Sequence, residues 1–181
     1  MHIETPLSED VIKNLNSGDQ VKLSGTIYTA RDAAHAKLIE LIEKDKDLPI
    51  PLKGQAIYYV GPAPAKPGKV IGSAGPTTSY RMDSFTPRLL ENGLKATIGK
   101  GPRSAKVKDA MIKNKAVYLG AVGGAAALIS KHITEAEIIA YPELGPEAIR
   151  RLKVESLPLF VINDIYGGDL YQDGVKKYKQ E

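Results

Sequence analysis

Apolar positions along the chain switch repeatedly between a period of two and helical spacing, and each switch predicts an element. Ser8-Glu9-Asp10 opens a short helix carrying Val11, Ile12 and Leu15, with a serine cap and acids in the first turn. Asn16-Ser17-Gly18-Asp19 ends it. From Gln20 to Ala30 the sequence reads as a strand, with Val21, Leu23, Gly25, Ile27 and Thr29 on one side. Ala33 to Lys44 has helical spacing through Ala34, Leu38, Leu41 and Ile42, and Asp32 is placed to cap it, leaving Arg31 at the strand-to-helix junction. Ala56 to Val60 is a buried strand, stopped by the proline-rich run from Gly61 to Gly68. Val70 and Ile71 then resume a strand-like pattern, so that run is a rigid surface segment and not a domain boundary.

A helix is predicted around Phe85 to Asn92, with Gly93 as its stop, and a short strand over Ala96 to Gly99. Ser104 caps a helix through Lys113, and Ala116 to Leu119 is another strand. The glycine-rich stretch from Gly120 to Leu128 has neither the dinucleotide fingerprint nor a P-loop spacing, so close helix–strand packing is its favoured reading. Ile138 to Tyr141 and Leu157 to Ile162 read as strands, Pro146 to Leu152 as a short helix, and Val175 to Glu181 as a frayed tail. Strands and helices alternate, but the helices are few and several connections return strand to strand. The expectation is one domain over residues 1–181, an α/β layered fold with a mixed sheet.

Composition narrows the chemistry. The hydrophobic fraction of 43% and charged fraction of 25% are those of a globular protein. No apolar run approaches the ~18 residues of a membrane span. The N-terminal residues lack the basic-then-apolar pattern of a signal peptide, which predicts a cytoplasmic protein without a membrane partner. With no cysteine, the chain has no thiolates for an iron–sulfur cluster or a cysteine zinc site, and its 3 histidines share no metal-ligand spacing. A metal used in the chemistry would have to sit on another chain. Lys95, Lys100, Arg103, Lys106, Lys108, Lys113 and Lys115 cluster in sequence against the single acid Asp109, which favours an anionic partner. No aromatic residues interleave with them and no reading helix is present, so nucleic acid is not expected.

Gly72-Ser73-Ala74-Gly75-Pro76-Thr77-Thr78-Ser79-Tyr80-Arg81-Met82-Asp83 holds the densest candidate chemistry. Its glycines and proline fix a tight turn, Thr77, Thr78 and Ser79 offer consecutive hydroxyls, and Arg81 brings a planar fork suited to a carboxylate or phosphate. An anion cradle and a solvated polar loop both fit these residues alone. Arg31, the Thr77 to Arg81 loop and the Lys100 to Arg103 turn each lie at a junction that can converge at one edge of an α/β sheet, where a small dicarboxylate would fit.

Five ordered stretches then carry a resemblance. Tyr28 to Lys37 (Tyr-Thr-Ala-Arg-Asp-Ala-Ala-His-Ala-Lys), Gly75 to Asp83, Gly99 to Ser104, Tyr118 to Ala126 and Tyr141 to Ile149 resemble the class I fumarate hydratase family. The likeness is to its beta subunit, equivalent to the C-terminal domain of single-chain members, and also to the tartrate dehydratase beta subunit. It extends from about Gly18 to about Gln172.

The resemblance implies a swivelling β/β/α domain, docked on a cysteine-containing alpha subunit that carries a [4Fe–4S] cluster, in an alpha2beta2 heterotetramer. It implies reversible hydration of fumarate to (S)-malate, with L(+)-tartrate dehydration as the alternative reaction; an anion-binding regulatory module is the non-enzymatic alternative. It assigns Thr77 as the proton-abstracting base and Arg31, Arg81 and Lys100 as ligands of the substrate carboxylates. Thr78 and Ser79 compete for the role of base. The family often has asparagine where this chain has Pro102, which leaves no amide for a role at that position.

Overall fold

The computed structural model describes residues 1–122 and 124–179. Strands β1 (His2–Glu4), β2 (Gln20–Thr29), β3 (Ala56–Tyr58), β4 (Ala96–Gly99) and β5 (Val117–Gly120) run parallel and lie in that order. Strands β6 (Ile133–Ala140) and β7 (Ile149–Asn163) are antiparallel to each other, and β7 also pairs antiparallel with β2 and with β5. The mixed 7-stranded sheet thus closes on itself through β2, β3, β4, β5 and β7. Helix α1 (Glu9–Lys13) joins β1 to β2, α2 (Asp32–Glu43) leads toward β3, α3 (Thr86–Glu91) toward β4, and α4 (Ala105–Asn114) joins β4 to β5. Helix α5 (Ala126–Ser130) follows β5, and α6 (Leu170–Tyr178) follows β7.

Strand alternation sorts the apolar side chains into two cores. Val21, Leu23 and Ile27 of β2, Ile98 of β4, Leu119 of β5 and Leu159 and Val161 of β7 point inside the closed sheet, where Ile12 and Leu15 also pack. Tyr28, Ile57, Tyr118 and Ile162 point outward and meet Leu38 of α2, Leu89 and Leu90 of α3, and Val107 and Met111 of α4. The result is a layered α/β arrangement, a sheet folded on itself with helices on its outer face. Ser8 and Ser104 cap α1 and α4 by accepting from the Val11 and Val107 N–H groups at 3.2 and 3.4 Å.

Several expectations need correction. Residues from Ile149 onward are not helical but begin β7, because that segment finds strand partners on both edges; a 3-10 turn (Pro142–Glu147) precedes it. Strand β6 begins at Ile133, earlier than the apolar pattern suggested. Val70 and Ile71 form no strand; Val60 and Pro76 form a bridge at the base of that loop, and the Ala63 N–H donates across it to the Ser73 carbonyl at 3.0 Å. The Val175 to Tyr178 part of the supposed tail is helical, in α6, where Asp169 accepts from Tyr171 and Gln172 N–H at 3.1 and 3.2 Å; Gln180 and Glu181 lie outside the described residues. In the glycine run, a Cβ on Gly120 would come 2.7 Å from Ile162 Cγ1, so the close approach there is between strands, not between helix and strand. Gly123 lies outside the described residues.

Candidate active site

The candidate residues gather where the parallel strands end. β2 runs into Arg31, and the chain turns there so that Arg31 itself takes the N-cap position of α2. Asp32, expected to be the cap, makes no capping bond and instead faces Arg81. β3 continues through Tyr59 and Val60 into the long loop that returns at Pro76, where the Thr77 N–H donates to the Tyr59 carbonyl at 2.7 Å. β4 continues through Gly99 into Lys100. Thr78 and Lys100 form a parallel bridge; Lys100 N–H donates to the Thr77 carbonyl at 3.3 Å, and Ser79 N–H to the Lys100 carbonyl at 2.8 Å. The threonine loop therefore lies along the end of β4 as an extra strand. Any Cβ on Gly99 would collide with Ser79 Oγ, so glycine is required for that approach.

Thr77 and Thr78 are half-buried and the Lys100 side chain is exposed. Ser79 is fully buried, and its hydroxyl is engaged with the Tyr118 hydroxyl at 2.9 Å. That engagement ties Ser79 into the scaffold.

Both arginines are held by carboxylates that the sequence pattern did not single out for that task. Arg81 Nε donates to Asp32 Oδ1 at 3.1 Å, and its Nη2 lies 2.9 Å from Oδ2. Arg31 Nη2 lies 3.2 Å from Glu147 Oε1 and 3.9 Å from Asp32 Oδ2. Asp32 thus stands between the two guanidiniums and offsets their mutual repulsion. Arg81 is 42% exposed, so its pair orients more than it stabilises. Beneath Arg31, the His35 ring is fully buried between Tyr59 and Phe85, with Nδ1 2.8 Å from the Arg31 carbonyl. Burial pushes this imidazole down to about 4, so it is neutral at pH 7 and donates through Nδ1.

The basic cluster read from the sequence disperses in space. Lys95 donates to the Asn114 carbonyl at 2.7 Å, Lys115 pairs with Glu9 at 2.8 Å, and Lys108 pairs with Asp169 at 3.1 Å. Arg103 is not a surface charge at all. Its side chain is buried, stacked between the rings of Tyr59 and Tyr118, with Nε donating to Asp83 at 2.7 Å and Nη2 to Thr86 Oγ1 at 2.7 Å. Burial alone would lower its pKa, but Tyr59 and Asp83 outweigh that and hold the guanidinium firmly charged. Residues 1–174 match the family described as Fumarase C-terminus.

The chain belongs to the Fumarase C-terminus family. It is 46% identical over 160 residues to the anaerobic class I fumarate hydratase of Escherichia coli, and 43% identical over 156 residues to fumarate hydratase 2 of Leishmania major. Those stretches are 87% and 85% of this chain but 29% and 28% of the relatives, so the chain spans less than a third of their length. It is also 37% identical over 177 residues to a putative L(+)-tartrate dehydratase subunit beta of Methanocaldococcus jannaschii, covering 94% of this chain and 91% of that one.

The donor set does not suit an iron–sulfur cluster. The chain has no cysteine, and among the described residues no group of three or more histidine, aspartate or glutamate side chains is arranged to hold a metal. Cavities of about 550 and 400 Å³ flank the proline-rich loop, and neither is lined by Arg31, Thr77, Arg81 or Lys100. A third, of about 350 Å³, places Lys100 beside Val122, Phe160, Leu170 and Tyr171. On the face that carries them, Arg81 is exposed and Thr77 half-buried.

Proposed function

We propose that this chain is the beta subunit of a two-subunit hydro-lyase that hydrates fumarate to (S)-malate reversibly, with Thr77, Arg31, Arg81 and Lys100 supplying its half of the active site. The observation that carries this reading is the convergence of Arg31, the threonine loop and Lys100 at the C-terminal ends of β2, β3 and β4, in a chain whose family includes class I fumarate hydratases. Arg31, Arg81 and Lys100 bind the two substrate carboxylates. They also stabilise the negative charge that develops on one carboxylate when the neighbouring carbon loses its proton. The Thr77 oxygen takes that proton once its own hydroxyl proton has passed to a neighbouring group, in a site closed and dried by the partner. Lewis-acid chemistry at the departing hydroxyl would come from a [4Fe–4S] cluster held by a cysteine-containing partner. We propose an alpha2beta2 assembly and a cytoplasmic location.

L(+)-tartrate is the second reading, favoured by the similarity to the putative tartrate dehydratase beta subunit over almost its full length. The test is to purify this chain alone and in anaerobic complex with the iron–sulfur partner, and to assay both with malate and with L(+)-tartrate. The complex is expected to dehydrate malate and the lone chain to be colourless and inactive. Turnover by the lone chain would overturn the shared-site reading, preference for tartrate would select the second substrate, and dicarboxylate binding without turnover in the complex would make the chain a regulatory module.

A further inference from the structure

The two catalytic segments proposed above, the threonine loop and the lysine turn, meet over a single buried hydroxyl. Tyr118 projects from β5 to the outer face of the sheet and is fully buried. Its hydroxyl lies 2.9 Å from Ser79 Oγ and donates to the Gly101 carbonyl at 2.9 Å. Since Tyr118 gives its one proton to Gly101, Ser79 must donate to Tyr118, and the order Ser79 to Tyr118 to Gly101 is fixed. Ser79 closes the hydroxyl run that begins at Thr77; Gly101 follows Lys100. The Tyr118 ring is itself clamped by the Arg103 guanidinium, 5.1 Å from its centroid, and Arg103 is anchored to Asp83 at the far end of the same loop. Burial pushes the Tyr118 hydroxyl well up, so it stays a proton donor across the working pH range.

We propose that the Tyr118 hydroxyl is a positioning group that fixes the spacing between the Thr77 hydroxyl and the Lys100 ammonium. The proposal rests on the hydro-lyase reading. Main-chain bonds set the register of Thr77 beside Lys100. The Ser79–Tyr118–Gly101 link is the side-chain tie between the same two segments, from below. Its loss displaces the base relative to the carboxylate that Lys100 holds, and a shift of about 1 Å in such a pair can cost on the order of a hundredfold in rate.

The test uses Tyr118→Phe, Ser79→Ala and the double variant, each in anaerobic complex with the iron–sulfur partner. Tyr118→Phe keeps the buried ring and the Arg103 stack; Ser79→Ala breaks the same link from the other side. Each single variant is expected to lower kcat by about ten- to a hundredfold with KM changed much less. The isotope effect for substrate deuterated at the carbon that loses its proton should rise as proton transfer becomes slower. The double variant should be no worse than the poorer single one, because both remove one link. A kcat within twofold of wild type for both single variants, or an unchanged isotope effect, or multiplying losses in the double, overturns the positioning role. If Tyr118→Phe melts below the assay temperature, Ser79→Ala decides by the same kcat and isotope criteria. A wild-type complex with no turnover of malate or tartrate overturns the hydro-lyase reading itself, and the positioning role with it; the two failures are therefore distinct.

Discussion

Asp32 and His35 place Arg31 and Arg81 from opposite sides, one by charge and one by the main chain. Arg81→Lys keeps a positive charge but cannot meet both Asp32 oxygens, and it loses the planar two-point grip on a substrate carboxylate. Kinetics on the assembled enzyme should show a loss of at least tenfold in kcat/KM, with the melting temperature of the chain little moved. Thr77→Ala should cut kcat by ~10²-fold or more while KM changes less, as expected when a positioned base is lost and the carboxylate grip remains. Thr77→Ser keeps the hydroxyl and should retain appreciable activity; Thr78→Ala serves as the comparison, and a dead Thr78→Ala beside an active Thr77→Ala would move the base by one residue. His35 gives a prediction about pH. Its folded-state pKa of about 4 lies below the unfolded value near 6.5, so the unfolded chain binds more protons between those values. This contribution to stability is complete above pH 6.5 and is lost as pH falls toward 4, amounting to ~3 kcal/mol for a shift of this size. Denaturant melts of wild type and His35→Gln across that range should show the slope in the former and a flatter dependence in the latter.

Among elements, the end of β4 and the start of α4 are tied to the threonine loop by one buried ion pair. Asp83 accepts from Arg103 at 2.7 Å through one oxygen and from the Ser104 N–H at 2.7 Å through the other. Asp83→Ala would leave a charged guanidinium buried without its counter-ion, and denaturant unfolding should show a loss of about 3–5 kcal/mol. Arg88→Ala, whose pair with Glu91 is solvent-exposed, should cost no more than about 1 kcal/mol by the same measurement. None of this was legible in the chain. Arg103 looks like a member of a basic cluster because its neighbours in sequence are lysines, and only the fold shows that it points inward between Tyr59 and Tyr118. Strand β2 was readable from its period of two, and β3, β4 and β5 as short apolar runs, fully buried in the fold. Strand β7 was not, since the Ile149 to Leu152 spacing also suits a helix turn and the pairing that settles it comes from β2, more than a hundred residues away. The candidate residues Arg31, Thr77, Arg81 and Lys100 were picked out as motifs; the carboxylates that pair with the two arginines, Asp32 and Glu147, were not, because those contacts depend on which loops meet.

At the scale of the whole molecule, the closed sheet has two unlike ends. At one end, Arg31, Thr77 and Lys100 follow the C-terminal ends of β2, β3 and β4, with the proline-rich loop beside them. At the other lie the connections into β3, β4 and β5, which include residues 44–55, 92–95 and 114–116. A site whose second half sits on another chain must be covered at the first end and not the second. On the proposed reading the exposed Lys100 and Arg81, with the half-buried Thr77, are where that partner would dock, while Lys115 is paired with Glu9. Hydrogen exchange reads this directly, because amides without internal bonds exchange slowly only when covered. On forming the complex, protection should rise in residues 61–81 and 100–104 and stay unchanged in 44–55, 92–95 and 114–116. The Thr77 and Ser79 amides, already bonded to Tyr59 and Lys100 carbonyls, should be partly protected in the free chain and gain further in the complex. A footprint confined to the opposite end would place the partner away from Thr77 and remove the shared active site as an account of this fold.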